Sequence, residues 1–415
     1  MKSLGLDGLS IQVENASADM WQTLHGLNIK SLNLCIRREV KHTKSLSQAL
    51  SSLTQLEILS IELKYCSPSL WDSLHGLNIK SLSLRMSMLV VKHKESLSQS
   101  LLSLTKMETL SIRVKEDSPD LWEALHGLSI KSLSLSIGWK RNLTESLSQS
   151  LLSLTQMDTL SISVRKDSPG LWGALHGLSI KSLSLSLKGE NYAFFELRYA
   201  TNMKQSLLSL TKLETLSISV DEYSPGMFEA LYGLKIKGLS LNHENINFKR
   251  EHKEPLSQSL SSLSQLETLT LHLYTYIALQ LPQSLKYFNI YCAALRPSKL
   301  RDLCDLLTAF NHTIEMSLEF GCASSFMPLE RISLQEYIPF HQEFTARKNV
   351  AVKRFRINES HDFAEFTISV RDIDGVDDAA PDDYCIKDYA YQTFVKCLID
   401  RTIDRISIRL QIDPD

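Results

Sequence analysis

The stretch that decides the fold reads Leu121-Trp122-Glu123-Ala124-Leu125-His126-Gly127-Leu128-Ser129-Ile130-Lys131-Ser132-Leu133-Ser134-Leu135. Nearly the same stretch surrounds three other tryptophans, and Phe228 takes the place of a fifth. The steps along Trp21, Trp71, Trp122, Trp172 and Phe228 are 50, 51, 50 and 56 residues. Such self-similarity at a nearly fixed period is the signature of a repeat architecture.

Each block contains two shorter units with the pattern L-x-x-L-x-L. The odd unit reads Met107-Glu108-Thr109-Leu110-Ser111-Ile112, and the even unit reads Ile130-Lys131-Ser132-Leu133-Ser134-Leu135. Odd units begin at Leu6, Leu56, Met107, Met157, Leu213 and Leu266, and even units begin at Ile29, Ile79, Ile130, Ile180, Ile236 and Leu285. These units predict a long repeat array rather than two or three ordinary globular domains.

The odd unit predicts a strand followed by a short helix. Leu110, Ile112 and Val114 alternate with polar residues, which is the period of a strand with one buried face. Ser118 is placed to cap the helix and Gly127 to end it. The tryptophans are expected to be buried anchors between helix and sheet. Because one unit cannot bury its own apolar face, neighbouring units must stack.

With these motifs the chain resembles the leucine-rich repeat family. It is most similar to the ribonuclease-inhibitor and NOD-like-receptor type, and its near-identical blocks resemble the tandem arrays of invertebrate NACHT-type immune receptors and their orphan relatives. The resemblance implies an α/β solenoid with a curved parallel sheet inside, short helices outside, and at least 12 repeats plus irregular C-terminal repeats. One position departs from the family. Where the family places Asn or Cys after the third Leu, the odd units have Tyr65, Glu116, Lys166 and Glu222.

The C-terminal part of the chain is less regular. Leucine gives way to Ile, Phe and Tyr, and the net charge changes from +4 in residues 1–290 to −6 in residues 291–415. We therefore divide the chain into regular tandem repeats, 1–290, and divergent repeats with a cap, 291–415. Strand-like pieces are expected at 316–318, 329–334, 352–357, 363–370 and 403–410, and a helix at 384–399. The chain opens inside a repeat, so we expect further repeats or another domain before Met1.

Composition argues against several classes of protein. The formal charge is −2, from 45 basic and 47 acidic residues, which is unlike a general nucleic-acid or membrane-surface protein. No apolar run approaches the length of a transmembrane helix, and no signal peptide is visible. The seven cysteines are scattered without a CxxC pair, so neither a zinc cage nor a disulfide framework is indicated. We expect a reduced, cytoplasmic protein.

Charges of alternating sign occupy the second position of the motif, and we name this series the charge ladder. Its members are Lys30, Glu57, Lys80, Glu108, Lys131, Asp158, Lys181, Glu214, Lys237, Glu267 and Lys286. Neighbouring strands lie about 4.8 Å apart, so each charge is expected to face opposite charges on both sides. Exposed pairs are individually weak, but in series they disfavour a slip of register. We interpret the ladder as structural rather than as a binding site.

Catalytic, cofactor-binding and metal-binding residues are not predicted. The sequence has no G-x-x-x-x-G-K-S/T, G-x-S-x-G or H-E-x-x-H motif. His25, His75, His126 and His176 recur at one position, but about 10 Å between alternate units is too far for ligands of one zinc ion. The acidic stretch 372–383 looks like a fragment of a calcium loop without the order of its ligands, so we interpret it as a solvated loop.

Five strand-to-helix segments of the even units vary while everything around them repeats. They span 35–45, 85–96, 136–146, 186–206 and 242–256 and sum to a charge of +7. Stacking would align these segments along one rim, and repeat insertions often mark a binding face, although loops also vary where nothing constrains them. The candidate partner-binding residues are Arg37, Arg38, Lys92, Lys94, Trp139, Lys140, Arg141, Phe194, Phe195, Phe248, Lys249 and Arg250.

The sequence is compatible with three candidate functions. The first is a non-catalytic recognition module for a protein or other macromolecular ligand of acidic character, such as the sensing array of an innate immune receptor. The second is a substrate adaptor or scaffold of the ubiquitin-ligase receptor type, for which no docking segment is visible. An enzyme is the least supported, because only the acidic loop and scattered His and Cys residues favour it. Nucleic acid is not indicated as a partner.

Overall fold

The computed structural model of the chain contains two compact units, Met1–Asp221 and Glu222–Asp415. The two units are described separately below. The structure describes residues 7–13, 18–37, 42–64, 68–86, 94–115, 118–138, 145–165, 167–187, 197–220, 225–243, 253–273, 276–292, 295–321, 334–358 and 365–368.

The first unit alternates strands with short helices. Its strands are β1 Gly8–Val13, β2 Ser31–Ile36, β3 Ile58–Leu63, β4 Ser81–Met86, β5 Thr109–Val114, β6 Ser132–Ile137, β7 Thr159–Val164, β8 Ser182–Leu187 and β9 Thr215–Val220. Its helices are α1 Ala18–Gln22, α2 Thr43–Ser52, α3 Pro68–Asp72, α4 Lys94–Ser103, α5 Pro119–Glu123, α6 Glu145–Ser153, α7 Pro169–Leu175 and α8 Ala200–Ser209. Each strand pairs in parallel with the next, and the register from β1 to β9 has no shift.

The second unit begins with the same alternation. Its strands are β10 Gly238–His243, β11 Thr268–Leu273, β12 Tyr287–Cys292, β13 Ile314–Gly321, β14 Val350–Asn358 and β15 Glu365–Ile368. Its helices are α9 Pro225–Leu231, α10 Lys253–Ser262, α11 Pro297–Leu307 and α12 Ile338–Ala346, with a 3₁₀ turn at Leu334–Tyr337. Strands β10 to β14 pair in parallel, with one register shift where β13 meets β14. Strand β15 pairs antiparallel with β14.

Fourteen parallel strands, nine in the first unit and five in the second, confirm the α/β repeat architecture that the L-x-x-L-x-L pattern predicts. Parallel neighbours that follow each other in sequence need crossover connections, which are almost always right-handed, so the helices of a unit lie on one face of its sheet. Along β6, for example, Leu133, Leu135 and Ile137 are buried and the intervening serines are not. One face of each sheet meets the helices, and the other face is open to solvent.

The aromatic anchors lie in the core, as predicted. Trp21, Trp71, Trp122, Trp172 and Phe228 are all 0% exposed. The glycine that follows each of these helices has a positive φ of 71° to 78°, at Gly26, Gly76, Gly127, Gly177 and Gly233. This left-handed conformation ends a helix and favours glycine because a side chain would be strained there.

Pairs of buried and half-buried serines bind each even-unit helix to the odd-unit helix before it, and we name each pair a serine staple. The staples are Ser100/Ser103, Ser150/Ser153, Ser206/Ser209 and Ser259/Ser262. The first hydroxyl donates to the backbone carbonyl of Trp71, Trp122, Trp172 or Phe228 at 2.6–2.7 Å. The second accepts from the N–H of Gly76, Gly127, Gly177 or Gly233 at 2.8–3.1 Å.

The staples satisfy backbone groups at helix ends, where four donors and four acceptors lack partners within the helix. Helix α2 has only half a staple. Ser52 accepts from the N–H of Gly26 at 2.9 Å, but Ala49 stands where the other helices have the first serine. The repeated S-x-x-S spacing in the even helices is therefore explained by bonds between helices.

The charge ladder forms in both units. Lys30, Lys80, Lys131, Lys181 and Lys286 each contact the acid one unit earlier, at 2.8–3.7 Å. All of these side chains are exposed to solvent. Lys80 lowers the pKa of Glu57, first through its hydrogen bond and then through its charge, and Lys30 adds a smaller effect of the same sign from the other side. Lys80 thus has Glu57 as its close partner on one side and Glu108 as a weaker one on the other.

The divergent C-terminal part contains some of the predicted strands. The pieces expected at 316–318 and 352–357 lie inside β13 and β14. Strand β15 lies inside the piece expected at 363–370, but it runs antiparallel to β14. The piece at 403–410, the helix at 384–399 and most of the piece at 329–334 lie outside the described residues.

Candidate functional site

The sequence-predicted rim residues are mostly not among those that the structure describes. Arg37 follows directly after β2 and is exposed, and Lys94 is the first residue of α4. The other candidates lie outside the described residues: Arg38, Lys92, Trp139, Lys140, Arg141, Phe194, Phe195, Phe248, Lys249 and Arg250. The rim of variable segments therefore stays a prediction, and the surface next to it can be described.

Basic side chains collect where the strands of the first unit end, on the face that is open to solvent, and we name this surface the basic edge. Its residues are Arg37, Lys64, Arg85, Arg113, Lys115 and Arg165. Arg85 and Arg113 are the third outward positions of β4 and β5. The other four follow directly after β2, β3, β5 and β7 and have the same outward parity, because side chains alternate along an extended chain. All six are exposed.

The register brings like charges together at the centre of the basic edge. Arg85 lies directly beside Arg113 in the pairing of β4 with β5, about 4.8 Å away along the sheet. Lys115 follows Arg113 on the same face. Glu62 on β3 is the one acidic side chain among the described residues of this surface, and it contacts Arg85 at 3.5 Å. The described residues of this surface therefore comprise six cations and one acid.

The sheet beside the basic edge carries small hydroxyl side chains. Ser83, Ser111, Ser134, Ser161 and Ser184 occupy one register level across β4 to β8. Hydroxyl groups donate and accept hydrogen bonds, and their small size leaves a partner free to approach the backbone. The basic edge and its serines can therefore bind carboxylates or other anions by charge-assisted hydrogen bonds, without any group that would do covalent chemistry.

The list of candidates from the sequence missed five of the six residues, and the signal that identifies them is register. Lys64, Arg85, Arg113, Lys115 and Arg165 are far apart in the sequence, and each looks like an ordinary polar strand residue. Only Arg85 falls within one of the variable segments, and Arg113 lies in the middle of a regular odd unit. If the units are aligned on their L-x-x-L-x-L motifs, the outward positions after the last apolar residue of the motif fall side by side on neighbouring strands. This alignment would have placed the basic residues together.

The open face of the second unit has a different character. His272 on β11 stacks on Tyr291 on β12, with ring centroids 4.3 Å apart and planes at 10°. Burial lowers the pKa of His272, and the charge of Glu319 opposes that shift. Glu319 lies within 3.9 Å of Arg354 and 3.5 Å of Arg356, and Glu315 lies 3.8 Å from Lys353. These charges lie in ion pairs within the face itself.

Several side chains in the described part of the chain could act as nucleophiles or metal ligands. The thiols of Cys292 and Cys304 are buried, and the potential metal ligands of this part do not cluster. Burial raises the pKa of the thiols of Cys292 and Cys304 to about 12, so both are protonated at neutral pH. Over the same residues, His, Cys, Asp and Glu side chains do not group in threes as a metal site would need. The four recurrent histidines are exposed, each directly before a positive-φ glycine.

Neither a model of a protein family nor a curated protein matches this sequence. A search of the described residues for a helix with the length and apolar character needed to cross a membrane found none. The geometry of the first unit is thus the main guide to function.

Proposed function

We propose that the chain is a non-catalytic recognition module whose first unit binds an acidic macromolecular partner along the basic edge. The observation that carries the proposal is the pairing of Arg85 with Arg113. Like charges that face each other on neighbouring strands destabilise a sheet, so this arrangement is unfavourable for folding and favourable for binding an anion.

The surrounding surface supports the same proposal. The basic edge spans β2 to β7, which is about 24 Å across the sheet, and such a length suits a macromolecule better than a single small anion. The variable segments with the rim candidates start at this same end of β2, β4, β6 and β8. Together the two surfaces would present a longer positive strip with the aromatic rim residues beside it.

The repeat pattern favours a particular biological setting for this module. Because the motifs resemble the leucine-rich repeats of NOD-like receptors, we propose the sensing array of a cytoplasmic receptor of this type. The thiols of Cys35, Cys292 and Cys304 are free, which suits a reducing compartment. An adaptor function would use the same surface, but no feature of the described residues favours it.

Charge reversal tests the proposal with a net-charge-matched control. The test variant carries Arg85→Glu and Arg113→Glu, and the control carries Lys80→Glu and Lys131→Glu in the charge ladder. The probe is a fluorescently labelled oligo-aspartate peptide, whose binding is followed by anisotropy at low and moderate salt. We expect the test variant to bind at least about tenfold more weakly, and wild-type binding to fall as salt screens the charges.

The control variant has the same net charge as the test variant. It therefore distinguishes binding at the basic edge from attraction by the overall charge of the chain. We expect its dissociation constant for the probe to stay within about twofold of the wild-type value, which corresponds to about 0.4 kcal/mol in binding free energy. Equal losses in the two variants would refute a site at the basic edge, as would wild-type binding that does not respond to salt.

A further inference from the structure

Two arginines and a lysine lie together at the centre of the basic edge, and we name them the cation cluster. Arg85 and Arg113 are paired in the register of β4 with β5, and Lys115 follows two residues after Arg113. Their backbones are therefore roughly 5 to 7 Å apart. All three side chains are exposed. Among the described residues, Glu62 is the only acid in contact with any of them, and its carboxylate lies 3.5 Å from Nη1 of Arg85.

The neighbouring strand leaves room beside the cation cluster. Ser136 on β6 is the register partner of Arg113. Gly138 follows two residues later, and its N–H donates to the carbonyl of Val114 at 2.8 Å. A Cβ on Gly138 would lie 2.9 Å from the carbonyl oxygen of Lys115, so a side chain does not fit there unless the backbone shifts. The space next to Arg113 and Lys115 is thus bordered by one hydroxyl group and one glycine.

We propose that the cation cluster of Arg85, Arg113 and Lys115 binds a phosphate monoester, which a phosphorylated serine or threonine of a protein partner carries. This proposal rests on the proposed function, because it names the acidic group that the basic edge binds. It goes further in that it selects phosphate over carboxylate, and one modified side chain over a run of acidic residues.

Charge and geometry favour phosphate over carboxylate at this position. A phosphomonoester carries about −1.5 to −2 charges at neutral pH and three acceptor oxygens. A carboxylate carries one charge, and a single bidentate guanidinium fork occupies both of its oxygens. Three oxygens can accept from the forks of Arg85 and Arg113 and from the ammonium group of Lys115 at the same time. The hydroxyl of Ser136 is a further donor at the same register level.

The surrounding sheet favours a protein partner over a nucleic acid. A phosphodiester carries only one charge per phosphate, so it matches the three cations no better than a carboxylate does. Single-stranded nucleic acids also stack their bases on aromatic side chains, and the outward positions of β2 to β8 carry none. The small side chains of Ser111 and Ser134, paired beside the cluster, leave an extended peptide room to approach the sheet.

Glu62 competes with the phosphate for Arg85. The side chains of this ion pair are 42% and 49% exposed, and exposed pairs contribute little stability. A dianion can therefore displace Glu62 from Arg85. Removal of this acid should strengthen phosphate binding, which gives the experiment a variant with a gain of affinity.

Binding of labelled peptides to the full chain, followed by anisotropy, tests the site. One short glycine-serine peptide is made in three forms, which carry at the centre a phosphoserine, two glutamates that match its charge, or an unmodified serine. The test variant is Arg113→Lys, which keeps the positive charge and removes the planar fork. Arg354→Lys, on the open face of the second unit, is the matched control. Glu62→Gln is the gain-of-affinity variant, and circular dichroism checks that every variant is folded.

We expect wild type to bind the phosphoserine form at least about tenfold more tightly than the two-glutamate form, because only the phosphate engages both forks. Arg113→Lys should reduce this preference to within about threefold, and Arg354→Lys should leave it unchanged. Glu62→Gln should bind the phosphoserine form several-fold more tightly than wild type does.

The pH dependence gives a second readout. The phosphate takes up a proton as pH falls through its second pKa of about 6, whereas glutamate keeps its charge over the same range. Binding of the phosphoserine form should therefore weaken over this range, and binding of the two-glutamate form should not. Parallel curves for the two forms would overturn the phosphate site.

The remaining outcomes separate this proposal from the proposed function. Equal affinity for the phosphoserine and two-glutamate forms overturns the phosphate site, and salt-dependent binding of the oligo-aspartate probe at the basic edge then leaves the proposed function intact. A preference for phosphoserine that survives Arg113→Lys also overturns the site. Tighter binding of a single-stranded oligothymidylate than of the phosphoserine form overturns the protein partner. Failure of the phosphoserine and oligo-aspartate probes together overturns the proposed function as well.

Discussion

Serine residues occupy two different environments in this chain. On the open face of the sheet they are half-exposed fillers between apolar positions, as in β6. In the even-unit helices they form the staples, where Ser150 is 2% exposed and donates to the carbonyl of Trp122 at 2.6 Å. The same residue type is therefore tolerant to substitution in one place and structural in the other.

Removal of one staple bond should destabilise the first unit. Ser150→Ala removes one donor from the carbonyl of Trp122, which keeps its bond to the N–H of Leu125 at 3.0 Å, and we expect a loss of about 0.5–1.5 kcal/mol in the free energy of unfolding. Ser134→Ala on the open face of β6 is the matched control, with an expected change within about 0.5 kcal/mol. Urea unfolding followed by tryptophan fluorescence measures both.

The half staple in α2 allows the reverse experiment. Ala49 is 1% exposed and occupies the position of the first staple serine. Ala49→Ser supplies a donor for the carbonyl of Trp21, and we expect a gain of about 0.5–1.5 kcal/mol. If Ala49→Ser destabilises the chain and Ser150→Ala behaves like Ser134→Ala, the staples do not hold the helices together.

The charge ladder makes a prediction about pH. Lys80 lowers the pKa of Glu57 in the folded chain, so the pair stabilises the fold above the ordinary carboxylate pKa and loses this effect as pH falls through the lowered value. Lys80→Gln should raise the pKa of Glu57 toward its ordinary value, as measured by NMR titration. An unchanged titration of Glu57 would show that the contact does not persist in solution.

At the scale of the elements, Asp167 connects the start of α7 to the approach to α8. It is 5% exposed, and its carboxylate accepts from Nε1 of Trp172 at 2.7 Å and from the backbone N–H groups of Arg198 and Tyr199 at 2.6 and 2.8 Å. The chain between α7 and α8 includes most of residues 186–206, which is the longest variable segment of the first unit. Asp167 therefore fixes the return of this segment to the repeat.

Asp167→Ala should loosen this connection as well as destabilise the unit. Three donors lose their acceptor, and we expect a cost of about 3 kcal/mol. Hydrogen exchange at the amide of Tyr199 should accelerate more than exchange in β2, which lies five strands away from β7. Uniform acceleration over both sites would indicate a general loss of stability rather than a local tether.

The elements also indicate how far the sequence determines the structure. The strands and short helices of the first unit follow from the L-x-x-L-x-L motif, since a single slip would turn Leu133 and Leu135 outward. The staples could not be predicted, because Ser150 and Ser148 look alike in sequence and only packing shows which one reaches Trp122. The direction of β15 was also not predictable, since an isolated strand pattern carries no information on the direction of its partner.

For the whole molecule, charge distribution is the feature that relates fold to function. In the ladder lysines alternate with acids from unit to unit, whereas the described residues of the basic edge comprise six cations and one acid, Glu62. The sequence predicted a basic binding surface at this end of the strands through its variable segments. It did not predict that Arg85 and Arg113 are neighbours, because they belong to units of different type and meet only through the register of the sheet.

The most direct test of a recognition surface at the basic edge is to measure binding and stability on one variant, Arg113→Glu. This change places an acid beside Arg85, so the free energy of unfolding should stay equal or rise by about 0.2–1 kcal/mol. Binding of the oligo-aspartate probe to the same sample should fall several-fold. A variant that loses stability and keeps its binding would contradict the account, because Arg113 would then serve the fold and not the partner.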